Sequence, residues 1–337
     1  MTSVRSFQSE FEIVDYTEEL VMIPNQWGLV NSLGLFENVP VAQHSITVES
    51  TEGTLALITD KVRGERNNVN QSDTRSLRSF PIPHFPLDDY ISPNDVQGKR
   101  AYGSADAAET EAAVVQRKME RIRRNWAATV EAARCQAITA GTVYAPNGTV
   151  VTNYYTDFGI TQKVVDFDFA VATDIIPKGE EVIAHIQDNI LSGENIDRII
   201  GLCSPTFFAA LIAHASIKDA YKYYTSVSEP LRNRVSVGLG NRTFEFGGIT
   251  YIEYRGAFNG TALIPAGEAY FIPTGTTDTF MTYFSPANKF EYVNTLGEEQ
   301  YMWTYRGAKD DKIEVNTESN FMNLIRRPAC VVKGTIT

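Results

Sequence analysis

Apolar residues recur at helical spacing between residues 107 and 140. Steps of three or four separate the apolar positions, which are Val115, Met119, Ile122, Trp126, Val130, Ala133 and Ala137. This spacing places side chains on one face of an α-helix. Asp106 with Glu109 predicts a capping box at the start, and Gly141 predicts the end. The pattern therefore predicts a helix over residues 107–140, which would extend over ~50 Å.

The other faces of the predicted helix carry many basic residues. They are Arg117, Lys118, Arg121, Arg123 and Arg124. One interpretation is a solvated face that is partly paired with acids such as Glu120. The other is a face that meets DNA or an acidic partner. The sequence leaves both interpretations open.

Residues 41–60 alternate between apolar and polar, which is typical of strands. Ile46 and Val48 lie on one side of Gly53, and Leu55 and Leu57 on the other, so the pattern predicts a hairpin with its turn at Gly53. Residues 61–80 are polar. The prolines of the segment Phe80–Pro86 exclude a helix and predict an extended return strand. Since an isolated hairpin is marginally stable in water, residues 41–102 are predicted to need support from a neighbouring subunit.

Residues 1–40 show no sustained period. Phe7 and Phe11 are spread among acids, and residues 1–60 contain one basic residue, Arg5, against nine acidic ones. A solvated tail is one interpretation, but tails usually have low hydrophobicity. The apolar residues of this segment therefore predict burial, with another chain as a candidate partner.

The second half of the chain alternates strand and helix signals. Arg198–Cys203 predicts a buried strand, and Ser204 with Pro205 predicts the cap of a helix that runs to about residue 224. Two strands are predicted around Gly247 and Gly248, and a hairpin over residues 143–151. Residues from 280 onward are strand-like and are predicted to return beside the long helix. The fold class is therefore α+β.

Composition and motifs give no sign of enzymatic chemistry. The histidines and the three cysteines lack zinc-ligand spacing, and Asp166 and Asp168 fit the wet face of a strand. We predict no catalytic, cofactor or metal site. The net charge of −11 argues against a surface that binds nucleic acid throughout. No apolar run approaches the ~20 residues that span a bilayer, so no membrane partner is predicted.

Several segments, in order, carry a family resemblance. They are residues 24–36 (PNQWGLVNSLGLF), 46–49, 53–57, 95–100, 156–159 and 262–276 (ALIPAGEAYFIPTGT). Together they resemble lambda-type major capsid (major head) proteins of tailed bacteriophages, over nearly the whole chain. The resemblance implies the tailed-phage major capsid protein fold. Its parts would be an N-terminal arm (1–40), an extended β-hairpin loop (41–102), a peripheral domain (103–165) with the spine helix, a central axial domain (166–279) and a return to the peripheral sheet (280–337).

The resemblance also implies a mechanical function. Copies would form hexamers and pentamers of an icosahedral shell around packaged double-stranded DNA, without sequence-specific contact to it. Scaffold, portal and decoration proteins are further implied partners, with assembly in the host cytoplasm and residence in the virion. The alternatives are an encapsulin-like nanocompartment that holds a protein guest, and a cytosolic α+β enzyme whose motif is unrecognised.

Two sets of residues are predicted to matter for such a shell. The candidates for contact between subunits are Phe7, Phe11, Trp27, Phe36, Arg63, Arg66, Arg75, Arg78 and Phe85. In this interpretation the acidic arm and the basic loop meet complementary patches on neighbouring copies. The predicted core of the spine helix consists of Val115, Met119, Ile122, Trp126 and Val130.

Overall fold

A computed structural model describes residues 28–52, 74–97, 110–150, 152–169, 175–190, 194–218, 241–258, 260–306 and 311–336. The helices within these residues are α1 (Leu29–Ser32), α2 (Glu111–Ala140), α3 (Tyr154–Asp157), α4 (Ile175–Asn189) and α5 (Pro205–Ala213). The strands before α4 are β1 (Glu37–Pro40), β2 (Ser45–Glu52), β3 (Thr74–Pro81), β4 (Phe85–Ile91) and β5 (Val164–Asp166). The strands from β6 to β10 are β6 (Arg198–Cys203), β7 (Thr243–Phe246), β8 (Ile249–Glu253), β9 (Ala257–Phe258) and β10 (Thr261–Ala262). The last strands are β11 (Glu268–Thr274), β12 (Phe280–Ser285), β13 (Tyr301–Arg306), β14 (Ile313–Ile325) and β15 (Val332–Thr335).

Two larger sheets organise the body of the protein. The first is five-stranded, in the order β1-β12-β14-β13, with β4 also paired to β14. The second is six-stranded, in the order β5-β15-β11-β6-β8-β7. The mixture of helices and sheets confirms the predicted α+β class.

The long helix α2 starts later than the sequence predicts. Its N-cap is Thr110, whose hydroxyl accepts a hydrogen bond from the Ala113 amide at 3.3 Å. Thr110 has extended backbone angles and a side chain suited to capping, so it takes the role predicted for Asp106, which lies outside the described residues. The predicted end is confirmed, because Gly141 adopts a left-handed φ of 64°. A Cβ at Gly141 would lie 2.4 Å from the Tyr155 ring, so glycine is also required for space.

The predicted core stripe of α2 faces β14. Ile122 and Trp126 are buried there, and Val115, Met119 and Val130 are partly buried against the same cluster. The Trp126 indole Nε1 donates to the Thr317 hydroxyl on β14 at 3.2 Å. The helix is thereby fixed to the five-stranded sheet by both apolar packing and a buried hydrogen bond.

A second core lies on one face of the six-stranded sheet. There α4 and α5 pack through residues such as Val182, Ile186 and Phe207 against Phe271 of β11. The other face of β11 presents Tyr270 and Ile272 to a different core. This larger core is shared with the five-stranded sheet, α1 and the C-terminal half of α2. The two sheets are therefore joined through one apolar interior.

β2 and β3 form two paired strands of the predicted extended β-hairpin loop, and we call this pair of strands the excursion. β2 pairs antiparallel with β3 over their whole length, from Ser45 opposite Pro81 to Glu52 opposite Thr74. Ile46 stands opposite Phe80, and both side chains are buried in the shared core, which fixes the register. The predicted turn at Gly53 lies outside the described residues.

Three strands pair with sheets outside the segment to which the sequence analysis assigns them. β1, predicted within the arm, pairs parallel with β12, and β4, predicted within the excursion, pairs with β14. β15, predicted to return beside α2, instead lies between β5 and β11 in the six-stranded sheet. These pairings join residues far apart in sequence, and local patterning carries no signal for them.

Most predictions of individual strands, caps and turns after residue 140 are confirmed. The bounds of β6, the Ser204 cap of α5 and the two strands around Gly247 and Gly248 are confirmed. α5 ends at Ala213, earlier than predicted, although residues 215–218 are again helical. The turn predicted within residues 143–151 is confirmed, because the Gly148 amide donates to the Ala145 carbonyl. The strand pairing around it is reduced to a single antiparallel bridge between Thr142 and Asn153.

Candidate functional site

A buried polar cluster holds the start of the described chain against α2. The Glu131 carboxylate is fully buried and accepts hydrogen bonds from the amides of Val30 and Asn31, both at 2.8 Å. The Tyr254 hydroxyl donates to the same carboxylate at 2.7 Å. Burial, with Cys135 and Glu131 nearby, raises the pKa of Tyr254, so this hydroxyl remains a donor. Glu131 therefore joins α1, α2 and the chain after β8 at one point.

Arg134 extends this cluster by one helical turn. Its guanidinium donates to the side-chain oxygens of Asn31 and Asn38, both at 2.9 Å, and to the Thr282 hydroxyl at 3.2 Å. The same group lies 5.4 Å from the centre of the Phe36 ring. Burial lowers the pKa of Arg134, and the carboxylates of Glu131 and Glu299 oppose that effect. We call the six residues Asn31, Asn38, Glu131, Arg134, Tyr254 and Thr282 the root cluster.

An exposed apolar loop lies at the opposite extreme of burial. It comprises residues 286–297, between β12 and β13, and we call it the 286–297 loop. Phe290 is 100% exposed, and Val293 and Leu296 are 60% and 62% exposed. Beside the loop is a groove of about 540 Å³, lined by residues 42–45 and by residues between 286 and 294. Such exposed apolar groups mark contact sites in proteins that associate.

Aromatic packing supports the base of this loop. The Tyr292 ring lies against Tyr301 and Trp303, with ring centres 4.8 and 5.8 Å away. The Lys289 ammonium sits 3.4 Å from the centre of the Trp303 ring and donates to the Tyr305 hydroxyl at 2.8 Å. The loop is therefore held in shape while its outer apolar residues face solvent.

The distal part of β3 is the second exposed surface. Leu77 is 70% exposed, and Arg78 beside it is also exposed. In contrast, Phe80 at the base of the strand is 3% exposed and packs against Phe158 with ring centres 5.9 Å apart. The excursion is thus anchored at one end and uncovered toward the other.

The predicted contact residues fall into three groups. Phe7, Phe11, Trp27, Arg63 and Arg66 lie outside the described residues, as does the side chain of Arg75. Arg78 is exposed, as a contact requires. Phe36 and Phe85 need correction: Phe36 is 6% exposed and packs on Phe280. Phe85 is partly buried against the core of its own chain, and its ring stacks on Phe321 with ring centres 4.9 Å apart.

Sequence reasoning missed both the root cluster and the 286–297 loop. Glu131 and Arg134 lie among alanines, where charged residues are typical of a solvated face. The two aromatics of the loop, Phe290 and Tyr292, stand among polar residues, so no apolar run indicates it. The available sequence signal was a phenylalanine, Phe290, directly after the polar residues Asn288 and Lys289.

No group of three or more His, Cys, Asp or Glu in the described ranges could hold a metal ion. The thiols of Cys135, Cys203 and Cys330 are buried, and burial raises the pKa of each. Nor does any helix in the described part of the chain have the length and apolarity to cross a membrane.

Known protein sequences similar to this chain are capsid proteins of phages. The sequence profile described as "Phage major capsid protein E" matches residues 13–336. The major capsid protein of Pseudomonas phage KPP10 is 44% identical, with 99% of each chain covered.

Solved structures show the same fold at low identity. The mature capsid of bacteriophage PhiM1 matches with a TM-score of 0.57 at 14% identity, over 97% of this chain and 92% of that one. The capsid of cyanophage Pam1 matches with a TM-score of 0.55 at 9% identity, over 100% and 99% of the two chains. The chain therefore belongs to the phage major capsid protein E family, and its role is structural, in the capsid shell of a phage, rather than enzymatic.

Proposed function

We propose that copies of this chain assemble as hexamers and pentamers into an icosahedral head shell that encloses packaged double-stranded DNA. In this proposal the arm (1–27), the excursion from β2 to β3 and the 286–297 loop carry contacts between copies. Residues 103–165 with 280–325 act as the peripheral domain, and residues 166–279 with β15 as the axial domain. Assembly takes place in the host cytoplasm, with scaffold, portal and decoration proteins as further partners.

The uncovered excursion is the observation that carries this proposal. β2 and β3 form a two-stranded sheet that pairs with no other strand of the described chain. A two-stranded ribbon is at best marginally stable in water. Its base is held by Ile46 and Phe80, but Leu77 is left in solvent. A neighbouring copy would cover this region and supply the missing support.

Closure of a symmetric shell explains how modest contacts suffice. Each copy in a closed oligomer repeats the same interfaces, so small gains per interface sum over the assembly. The charges support the same picture, because the arm is acidic and residues 61–78 are mainly basic. Arg63, Arg66, Arg75 and Arg78 are the basic residues we assign to such contacts.

Deletion of residues 1–27 tests the proposal and keeps every residue that the structure describes. A longer deletion to residue 35 would remove Val30 and Leu35, which are buried. We expect the shortened chain to fold but to give few or no normal shells by size-exclusion chromatography and negative-stain electron microscopy. Normal shells from this variant would contradict the role of the arm. If shells of the unmodified chain contain protein guests and no DNA, the proposal that the shell encloses DNA is wrong.

A further inference from the structure

A row of exposed arginines runs along α2. Arg117, Arg121 and Arg124 are spaced by four and three residues, so they share one face of the helix, and all three are exposed. Like charges at this spacing repel each other. Neither Arg121 nor Arg124 forms an ion pair with another residue in the described ranges. We call these three residues the arginine row.

The start of the described chain lies on the continuation of this face. Arg117, Arg124 and Glu131 are seven residues apart, two helical turns, so they stand on the same side of α2. Along the axis Arg124 is ~10 Å and Arg117 is ~21 Å from Glu131. Because Glu131 binds the amides of Val30 and Asn31, the first residues that the structure describes lie on this side of α2.

Residues 1–27 have the opposite charge and sufficient length. They contain five acids, all between residues 10 and 19, and a single basic residue, Arg5. Glu19 is nine residues before Gly28, and an extended chain of that length spans up to ~30 Å. This length exceeds the ~21 Å between Glu131 and Arg117 along the axis, so the segment can reach every arginine of the row.

We propose that the acidic segment 10–19 docks on the arginine row of its own chain. Docking pairs the acids of this segment with Arg121 and Arg124, and it directs residues 1–9, with Phe7, toward a neighbouring copy. Contact of the row with DNA is the competing explanation. The arm is favoured because its anchor lies on this face and because its charge is complementary. The docking takes place within one chain, so it holds whether or not shells form.

Two adjacent arginines of α2 provide a matched test. Arg124 belongs to the row, whereas Arg123 is also exposed but lies ~100° away around the helix. A protease that cleaves after glutamate reports on the arm of the unassembled full-length chain, since Glu10, Glu12, Glu18 and Glu19 are its sites. We expect Arg124→Glu to speed loss of the arm severalfold and Arg123→Glu to leave the rate unchanged. Equal rates for both variants and the unmodified chain would overturn the docking.

Charge exchange and salt give independent checks. Reversal of the row (Arg117→Glu, Arg121→Glu, Arg124→Glu) should expose the arm. Added reversal of the arm (Glu12→Lys, Asp15→Lys, Glu19→Lys) should slow cleavage at the two remaining sites, Glu10 and Glu18, relative to the same reversed arm on the unmodified row. Circular dichroism verifies that each variant is folded. For the unmodified chain, high salt should also speed cleavage, because it screens exposed charges. If row reversal lowers retained DNA and leaves arm cleavage unchanged, the row binds DNA and the proposal is wrong.

A disulfide separates docking within a chain from docking on a neighbour. The three native thiols are buried, so they should not form disulfides with the introduced cysteines. Glu19→Cys with Arg124→Cys, treated with a mild oxidant, should yield a crosslinked species that migrates as a monomer on non-reducing gels. The control pair, Glu19→Cys with Arg123→Cys, should crosslink much less. A crosslinked dimer, or equal crosslinking of the control pair, would overturn docking on the same chain.

Discussion

The root cluster and the 286–297 loop use opposite physical strategies. In the root cluster charged and polar side chains are buried, and Glu131 and Arg134 together have hydrogen-bond partners on α1, β1, β12 and the chain after β8. In the loop, apolar side chains such as Phe290 and Leu296 are in solvent. The first arrangement draws its hydrogen-bond partners from its own chain, whereas the second leaves its apolar groups uncovered in the lone chain.

The difference separates residues that specify the fold from residues available for assembly. A buried carboxylate is tolerated when its hydrogen bonds are made, and it is costly when one partner is lost. An exposed phenylalanine contributes little to the stability of a lone chain and gains when another surface covers it. Substitutions in the two regions should therefore affect different measurements.

The largest effect on stability is expected from Glu131→Ala. It leaves the amides of Val30 and Asn31 and the Tyr254 hydroxyl without their acceptor. The free energy of unfolding should fall by about 3–5 kcal/mol, as measured by urea denaturation of the unassembled chain. Glu120→Ala, on an exposed position of the same helix, is the control and should change it by less than about 0.5 kcal/mol. Equal effects would contradict the role of the root cluster.

A smaller effect is expected from Cys330 at high pH. Burial raises the pKa of its thiol from 9.0 to about 11. Above pH 9 the thiol ionises in the unfolded chain but keeps its proton in the folded chain, so stability falls until about pH 11. The loss attributable to this group is about 2–3 kcal/mol. Cys330→Ala should show a shallower decline between pH 9 and 11 in denaturant titrations, and an identical decline would refute this assignment.

Phe290→Ser with Leu296→Ser should leave stability almost unchanged and impair assembly. Both side chains are mostly exposed, so the free energy of unfolding should move by less than about 0.5 kcal/mol. Shell yield, measured by sedimentation and electron microscopy, should fall strongly. Glu291→Ala removes an exposed neighbour of different chemistry and serves as the control. A full yield of shells from the double variant would remove the loop from the list of contacts.

Leu77→Ser should have the smallest effect on the lone chain. Its side chain is 70% exposed, and the stability of the unassembled protein should be the same within error. Shells that form should dissociate at lower denaturant concentration than those of the unmodified protein. Ile46→Ser, at the buried base of the same ladder, should instead destabilise the lone chain, which separates the two ends of the excursion.

Sequence reasoning recovered what depends on local physics. The stripe of α2 follows from helical spacing, the Ser204 cap from a short-range hydrogen bond, and the Gly247–Gly248 turn from backbone freedom. It failed where distant segments meet. The parallel pairing of β1 with β12 and the place of β15 depend on contacts across most of the chain, and Glu131 is recognisable as buried only once α1 is placed beside it.

Thiol labelling tests most directly whether the exposed regions are contact surfaces. Phe290→Cys and Leu77→Cys each introduce one accessible thiol, while Cys135, Cys203 and Cys330 are buried. Both new thiols should react rapidly in the unassembled chain and much more slowly in purified shells. Equal labelling rates in the two states would contradict the account, because they would show that assembly leaves these apolar surfaces uncovered.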